Sequence, residues 1–156
     1  MGVSTNAHLA YGIDFGEDVE FPWSGDEEYG SDANALEEWW KATKGFKDVT
    51  EPDWDAEGSD EKLNAIRAYY AHGEKWLRAN PIPVELVKHC SGGYPMFILA
   101  VPGTNMWANR GDPASIDVSR LVISFDQGVA FTEFLSVYGI EQPKKLSWLL
   151  FSYWDQ

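Results

Sequence analysis

The stretch VELVKHCSGGYPMFILAV, residues 84–101, decides the fold of this 156-residue chain. Two β-prone runs, residues 84–89 and 94–101, surround the turn sequence CSGG at residues 90–93. Paired glycines supply the positive φ angles that a tight turn needs, so this pattern predicts a β-hairpin. Residues 96–101 have no polar face, which predicts a central strand that is buried on both sides.

The segments outside the hairpin show further strand and helix patterns. Residues 6–13 alternate as a strand does, and two more β-prone runs occupy residues 105–109 and 146–154. Helical spacing of apolar residues, with start and stop signals, predicts helices at about residues 32–44, 60–80 and 127–138. We therefore predict an α+β fold, in which a mostly antiparallel sheet of about four or five strands has two or three helices packed against it. The length suits a single domain over residues 1–156.

Net charge and composition exclude several classes of function. The 25 acidic and 12 basic residues give a net charge of −13, whereas binding to a phosphate backbone requires a basic surface. We therefore expect no direct nucleic-acid binding. The one cysteine excludes an internal disulfide framework and a multi-cysteine zinc site. No apolar run reaches the roughly 18 residues of a membrane span, so we expect no membrane association and a cytoplasmic location.

The excess charge is confined to the first part of the chain. Residues 1–62 hold 17 acids and four lysines, whereas residues 63–156 hold eight acids and eight basic residues. Within the first part, residues 16–31 and 48–60 combine acids with Gly, Pro and Ser, which predicts two acidic loops. One interpretation is that these loops only keep the protein soluble.

A second interpretation is an acidic docking surface for a protein with a basic surface, such as one that normally binds nucleic acid. Aromatic side chains, including Phe21 and Trp23, stand among the acids, and aromatic anchors beside charge are typical of protein interfaces. The residues predicted to contact the partner are Asp18, Glu20, Trp23, Asp26, Glu27, Glu28, Asp53, Trp54 and Asp55.

The sequence contains no recognisable catalytic or metal-binding motif. Phosphate-binding glycine loops and a G-x-S-x-G turn are absent, and the three histidines do not have metal-ligand spacing. Residues 53–64 approach a calcium-binding loop, but Asn64 stands where a bidentate Glu is required, which favours a plain acidic loop. His89 and Cys90 are neighbours on a predicted strand and point to opposite faces, so we expect a half-buried Cys rather than a nucleophile. We predict no catalytic residue, no cofactor and no metal.

Three segments, at the start, middle and end of the chain, carry a resemblance to a known group of proteins. They are YGIDFG at residues 11–16, CSGGYPM at residues 90–96 and WLLFSYW at residues 148–154. In their order and spacing, the chain resembles the uncharacterised small acidic proteins of tailed bacteriophages. That family has no agreed activity, cofactor or catalytic residue. The resemblance therefore implies a phage accessory protein that acts in the bacterial cytoplasm.

The same three segments lie on or beside predicted strands and can meet in space. An acid, a hydroxyl and two aromatic faces would then form a small ligand site from Asp14, Ser91, Tyr94 and Trp154. The other interpretation is that these four are turn, core and edge residues.

Three functional hypotheses remain open at this point. The leading one is a non-enzymatic phage protein that binds a basic host or defence protein through its acidic N-terminal surface, as a nucleic-acid mimic or inhibitor. The second is a small ligand-binding or hydrolytic domain with its site at the strand ends. The third is a structural or assembly protein of the virion.

Overall fold

The structure is a computed structural model that describes residues 4–17, 19–24, 33–47, 49, 52, 60–91 and 93–155. Within these residues lie the strands β1 (Ser4–Gly16), β2 (Glu85–Ser91), β3 (Pro95–Ala100), β4 (Met106–Ala108) and β5 (Ser147–Asp155). The helices are α1 (Ala33–Thr43), α2 (Asp60–Ala79) and α3 (Phe125–Val137), with a short 3₁₀ helix at Val118–Leu121. The predicted α+β fold is confirmed.

The strands form one mixed sheet in the order β3-β2-β5-β1-β4. β2 and β5 run parallel, and the other pairings are antiparallel, so the prediction of a mostly antiparallel sheet is confirmed. β1 also pairs with β3, which closes β1, β3, β2 and β5 into a circuit of strands. Closure of this kind pairs strand edges that an open sheet would leave exposed.

β1 organises the sheet because it is long enough to pair along both of its edges. One edge pairs with β5 over residues 4–12. The other edge pairs with β4 at residues 7–9 and with β3 at residues 12–16, so β3 and β4 follow one another along it. At Gly12, an added Cβ would lie 2.4 Å from the carbonyl oxygen of Leu99, and the close approach of β1 to β3 therefore requires glycine.

β2 and β3 form the predicted antiparallel hairpin, with Val87 opposite Ile98 and His89 opposite Met96. Residues 97–100 are all buried, and β3 has a partner strand on each edge. The prediction of a central strand that is buried on both sides is therefore confirmed. Cys90 is half-buried, as expected, and has a φ of 72°, which is unusual for a residue other than glycine.

Helix α3 begins slightly earlier than the sequence pattern predicted. Ser124 caps it, and the Ser124 hydroxyl and the Gln127 side chain exchange hydrogen bonds with each other's backbone N–H groups in a capping box. The buried side chains of α3 are Phe131, Phe134 and Leu135. On one face of the sheet, a separate apolar cluster contains Ala10, Val87, Ile98 and Ala100, with Leu149 and Phe151 packed against it.

The chain divides into two compact units, Met1–Leu36 with Pro83–Gln156, and Glu37–Ile82. The first unit contains the sheet and α3. In the second unit, the indole N–H of Trp40 donates to the carbonyl of Asn80 at 2.9 Å, and the ring of Phe46 packs against Trp76. The single domain over residues 1–156 stays a prediction. Across the part of the chain that the structure describes, no helix has the length and apolar character of a membrane span.

Candidate functional site

The acidic segments are described in part, at residues 16, 17 and 19–24 of the first and at residues 49, 52 and 60 of the second. Of the nine residues predicted to contact a partner, Glu20 and Trp23 lie within the described residues. Glu20 is exposed, as a docking residue must be. The other seven lie outside the described residues, namely Asp18, Asp26, Glu27, Glu28, Asp53, Trp54 and Asp55.

Phe21 and Trp23 are buried, which does not fit the expectation of exposed aromatic anchors. The centroids of their stacked rings lie 4.7 Å apart, and the ring of Phe21 also makes T-shaped contacts with the rings of Phe15 and Phe97. On the other side, the ring of Trp23 lies 6.2 Å from that of Phe134 in α3. The two side chains therefore bridge helix α3 and strand β3, and they hold residues 21–23 of the first acidic segment against the sheet unit.

Acids at the borders of both segments lack a neutralising cation among the described residues. Glu17 and Glu20 are exposed and form no ion pair there, and the same holds for Asp60 and Glu61 in the first turn of α2. Asp60 and Glu61 also interact favourably with the α2 dipole, so part of their role is structural. Among the described residues, ion pairs join Lys41 to Glu37 and Glu38, Arg78 to Glu74, and Lys144 to Asp14, which also contacts His89.

Three of the four predicted ligand-site residues lie together at one end of the sheet. Ser91 of β2 is opposite Trp154 of β5, and its hydroxyl accepts a hydrogen bond from the backbone N–H of Tyr94 at 3.2 Å. Ser91 is 4% exposed, whereas Tyr94 and Trp154 are exposed. The Ser91 hydroxyl thus supports the turn, and the two aromatic faces beside it are open to solvent.

The fourth residue, Asp14, has other partners. Its Oδ1 accepts hydrogen bonds from the backbone N–H of Gly16 at 3.0 Å and from Nε2 of His89 at 3.3 Å, and its Oδ2 accepts from Lys144. Partial burial raises the pKa of Asp14, but the hydrogen bonds from Lys144, Gly16 and His89 outweigh it and hold the pKa below its ordinary value. We call Asp14, His89 and Lys144 the Asp14 cluster.

The Asp14 cluster ties distant parts of the chain together. It joins β1 to β2 and to the segment that precedes β5, and the ring of His89 packs 5.4 Å from Phe151. A carboxylate that orients an imidazole is also found in catalytic triads, but a triad needs a nucleophile in contact with the imidazole. Among the described contacts of His89 there is no hydroxyl or thiol. Its geometry therefore supports a structural role.

Sequence reasoning missed His89 and Lys144 as partners of Asp14. Lys144 lies 130 residues from Asp14 along the chain, and no local pattern signals such a contact. The calcium-loop near-match falls largely on residues 53–59, which lie outside the described residues. Within the described ranges, no group of three or more His, Cys, Asp or Glu side chains is placed to hold a metal ion.

Comparisons with known proteins add no relative to this picture. No family model matches the chain, and neither the curated proteins nor the solved structures show a significant similarity to it. The resemblance to tailed-phage proteins therefore stays a prediction, and function has to be argued from the residues themselves.

Proposed function

We propose that this protein is a non-enzymatic binding protein whose acidic segments bind a partner with a basic surface. The observation that carries the proposal is the segregation of charge. The whole net charge of −13 lies within residues 1–62, and residues 63–156 are balanced. Solubility alone does not require such segregation, because charge spread over the whole surface serves it equally well.

Two features of the described residues support the proposal. Glu17 and Glu20, at the border of the first segment, have no cation to neutralise them among the described residues, so their charge is available to a partner. The burial of Phe21 and Trp23 fixes residues 21–23 within that segment. A segment that is anchored in this way loses less conformational entropy on binding than a free tail does.

The most concrete form of the proposal is a nucleic-acid mimic. Carboxylates along an acidic segment present repeated negative charge, as phosphates do, and a basic nucleic-acid-binding surface is the natural complement of such a pattern. If the chain is phage-encoded, as the resemblance implies, the partner is a basic host or defence protein and the outcome is inhibition. This form agrees with the expectation that the protein itself does not bind nucleic acid.

An affinity capture from bacterial lysate at two salt concentrations tests the proposal. The tagged protein should retain a basic protein at about 50 mM salt and release it at about 0.5 M, because screening shortens the range of electrostatic attraction. A variant with Asp26→Asn, Glu27→Gln and Glu28→Gln should bind about 10-fold more weakly at low salt, at roughly 0.5 kcal/mol for each lost charge pair.

The chain offers a matched control for the change in net charge. Asp112, Glu133 and Glu141 are exposed acids in the charge-balanced part, and neutralising all three alters the net charge by the same amount. This control should bind as the wild type does. Equal weakening by both triple variants would show that only the overall charge matters, and capture that is unaffected by salt would contradict the proposal.

The hydrolytic alternative gains no support from the described contacts. Ser91 is buried and its hydroxyl is engaged with the turn, while Asp14 is held by three partners. The open aromatic faces of Tyr94 and Trp154 are compatible with ligand contact but supply no reacting group. Partner binding is therefore the function that we propose.

A further inference from the structure

A cleft of about 400 Å³ lies within the sheet unit, and its described lining includes no residue of the acidic segments or of the Asp14 cluster. Four strands supply its walls: β1, β2, β4 and β5. Its lining residues are Asn6, His8, Leu86, Val87, Lys88, Asn105, Trp107, Asn109 and Tyr153. Concave sites at the mouths of curled sheets are common places for small ligands.

The lining chemistry is unlike that of the rest of the protein. The chain has 25 acids, yet none of the described ones lines the cleft. The polar groups are instead three carboxamides, an imidazole, a phenol and one ammonium group. A carboxamide offers both donors and acceptors, and a phenol hydroxyl does the same, so this cleft can satisfy a ligand whose polar groups need both.

A chain of side chains orients His8 at the cleft. Nδ1 of His8 lies 3.4 Å from Oδ1 of Asn105, and the ring stacks on Phe151 at 5.3 Å. The amide nitrogen of Asn105 donates to Glu85, whose other oxygen accepts from the backbone N–H of Gly103 at 3.1 Å. Because Oδ1 of Asn105 can only accept a hydrogen bond, Nδ1 of His8 is the donor in this contact, and the contact orients the ring.

Trp107 supplies an open aromatic face beside these polar groups. It lies on β4, opposite His8 of β1, and is 61% exposed. Contact of a large exposed aromatic ring with water is unfavourable unless another molecule covers the ring. Indole rings are favoured where a ligand is apolar on one side and polar on the other. The C–H face of a pyranose ring, with hydroxyls around its edge, has this character.

We propose that the cleft binds a neutral saccharide of one or two rings. The sugar ring stacks on Trp107, and its hydroxyls exchange hydrogen bonds with Asn6, Asn109 and His8. A neutral ligand fits because Lys88 is the only Lys, Arg, Asp or Glu among the described residues that line the cleft. A nucleotide fits less well, since this one ammonium group would have to balance the charge of its phosphate.

Saturation-transfer NMR on the full chain tests the proposal directly. The probes are glucose, galactose, mannose, N-acetylglucosamine, maltose, lactose and sucrose, with AMP and UMP as nucleotide probes, each at up to about 10 mM so that millimolar dissociation constants are detected. At least one saccharide should bind, and neither nucleotide should. Trp107→Ala should then weaken binding of that saccharide about 10-fold or more, and Asn109→Ala should weaken it by a smaller factor.

A matched control separates the cleft from any exposed ring. Phe125 is 84% exposed at the start of α3 and does not line the cleft, so Phe125→Ala should leave saccharide binding unchanged. The proposal is overturned if no saccharide on the panel binds, if the nucleotides bind and the sugars do not, or if Trp107→Ala leaves the affinity for the saccharide unchanged. No described residue of the acidic segments lines the cleft, and the two proposals are tested by separate experiments.

Discussion

Replacing Asp14 with asparagine tests the Asp14 cluster with the smallest change in shape. Asp14→Asn keeps the size of the side chain and one acceptor oxygen, but it removes the charge and replaces the other acceptor oxygen with an NH2 group. The carboxylate is 24% exposed, and its partners His89 and Lys144 are 14% and 61% exposed respectively. Most of the effect should therefore come from His89 and from the backbone N–H of Gly16, because the Lys144 pair is largely solvated.

The expected loss at neutral pH is about 2 kcal/mol in the free energy of unfolding. A hydrogen bond to a charged group contributes roughly 1 kcal/mol more than the same bond between neutral groups, and Asp14 accepts two from partly buried donors. The exposed Lys144 pair adds at most about 0.5 kcal/mol. For a protein of this length, a 2 kcal/mol loss lowers Tm by about 4–8 °C.

The pH dependence of that loss has a definite sign. The folded state holds the pKa of Asp14 below its ordinary value of 3.8, so the charge on Asp14 stabilises the protein fully above that pH. The stabilisation is lost as the pH falls through the lower folded pKa. The difference between wild type and Asp14→Asn should therefore shrink as the pH falls below about 4.

Urea unfolding followed by circular dichroism at several pH values measures this difference. Asp112→Asn is the control, because Asp112 is an exposed acid and its replacement should change stability by less than about 0.5 kcal/mol. Two results would show that the cluster does not stabilise the fold through the charge of Asp14. One is that Asp14→Asn is as stable as the wild type at pH 7. The other is that the difference in the free energy of unfolding does not shrink as the pH falls below about 4.

Two further predictions concern local geometry, each measured by thermal or urea unfolding. Gly12→Ala should destabilise the protein by about 1–3 kcal/mol or more, because its Cβ would lie 2.4 Å from the Leu99 carbonyl oxygen. The control Gly128→Ala in α3 has open space around its Cβ and should be neutral or slightly stabilising. Equal effects of the two substitutions would contradict the close approach of β1 and β3. Ser124→Ala should lower the free energy of unfolding by about 1 kcal/mol, because the α3 cap is lost. Ser136→Ala, at an exposed position near the end of the same helix, should lower it much less. Equal losses in the two variants would argue against the cap.

The elements of the fold could be predicted because their signals are local. Paired glycines between two apolar runs indicate the β2–β3 hairpin, and the helical spacing of apolar residues indicates α2. The start of α3 also has a local signal in the sequence, the Ser124-x-x-Gln127 capping box. The closure of the sheet through β1 and β3 could not be predicted, since strand order depends on contacts between distant segments.

The candidate site was harder to predict for the same reason. Phe21 and Trp23 stand among acids, which suggested exposure, but Trp23 packs beside Phe134, more than a hundred residues further along the chain. Asp14 stands in a predicted turn, yet its partners come from β2 and from the segment before β5. In both cases long-range packing overrides what the local composition suggests.

The salt dependence of affinity for the captured partner tests the central claim most directly. Titration calorimetry of the purified pair at salt concentrations from about 50 mM to 0.5 M should show affinity falling steeply for the wild type. The fall should be clearly shallower for the variant neutralised at Asp26, Glu27 and Glu28, and unchanged for the control neutralised at Asp112, Glu133 and Glu141. An affinity that is the same at every salt concentration, or equal slopes for all three proteins, would contradict binding through the acidic segments.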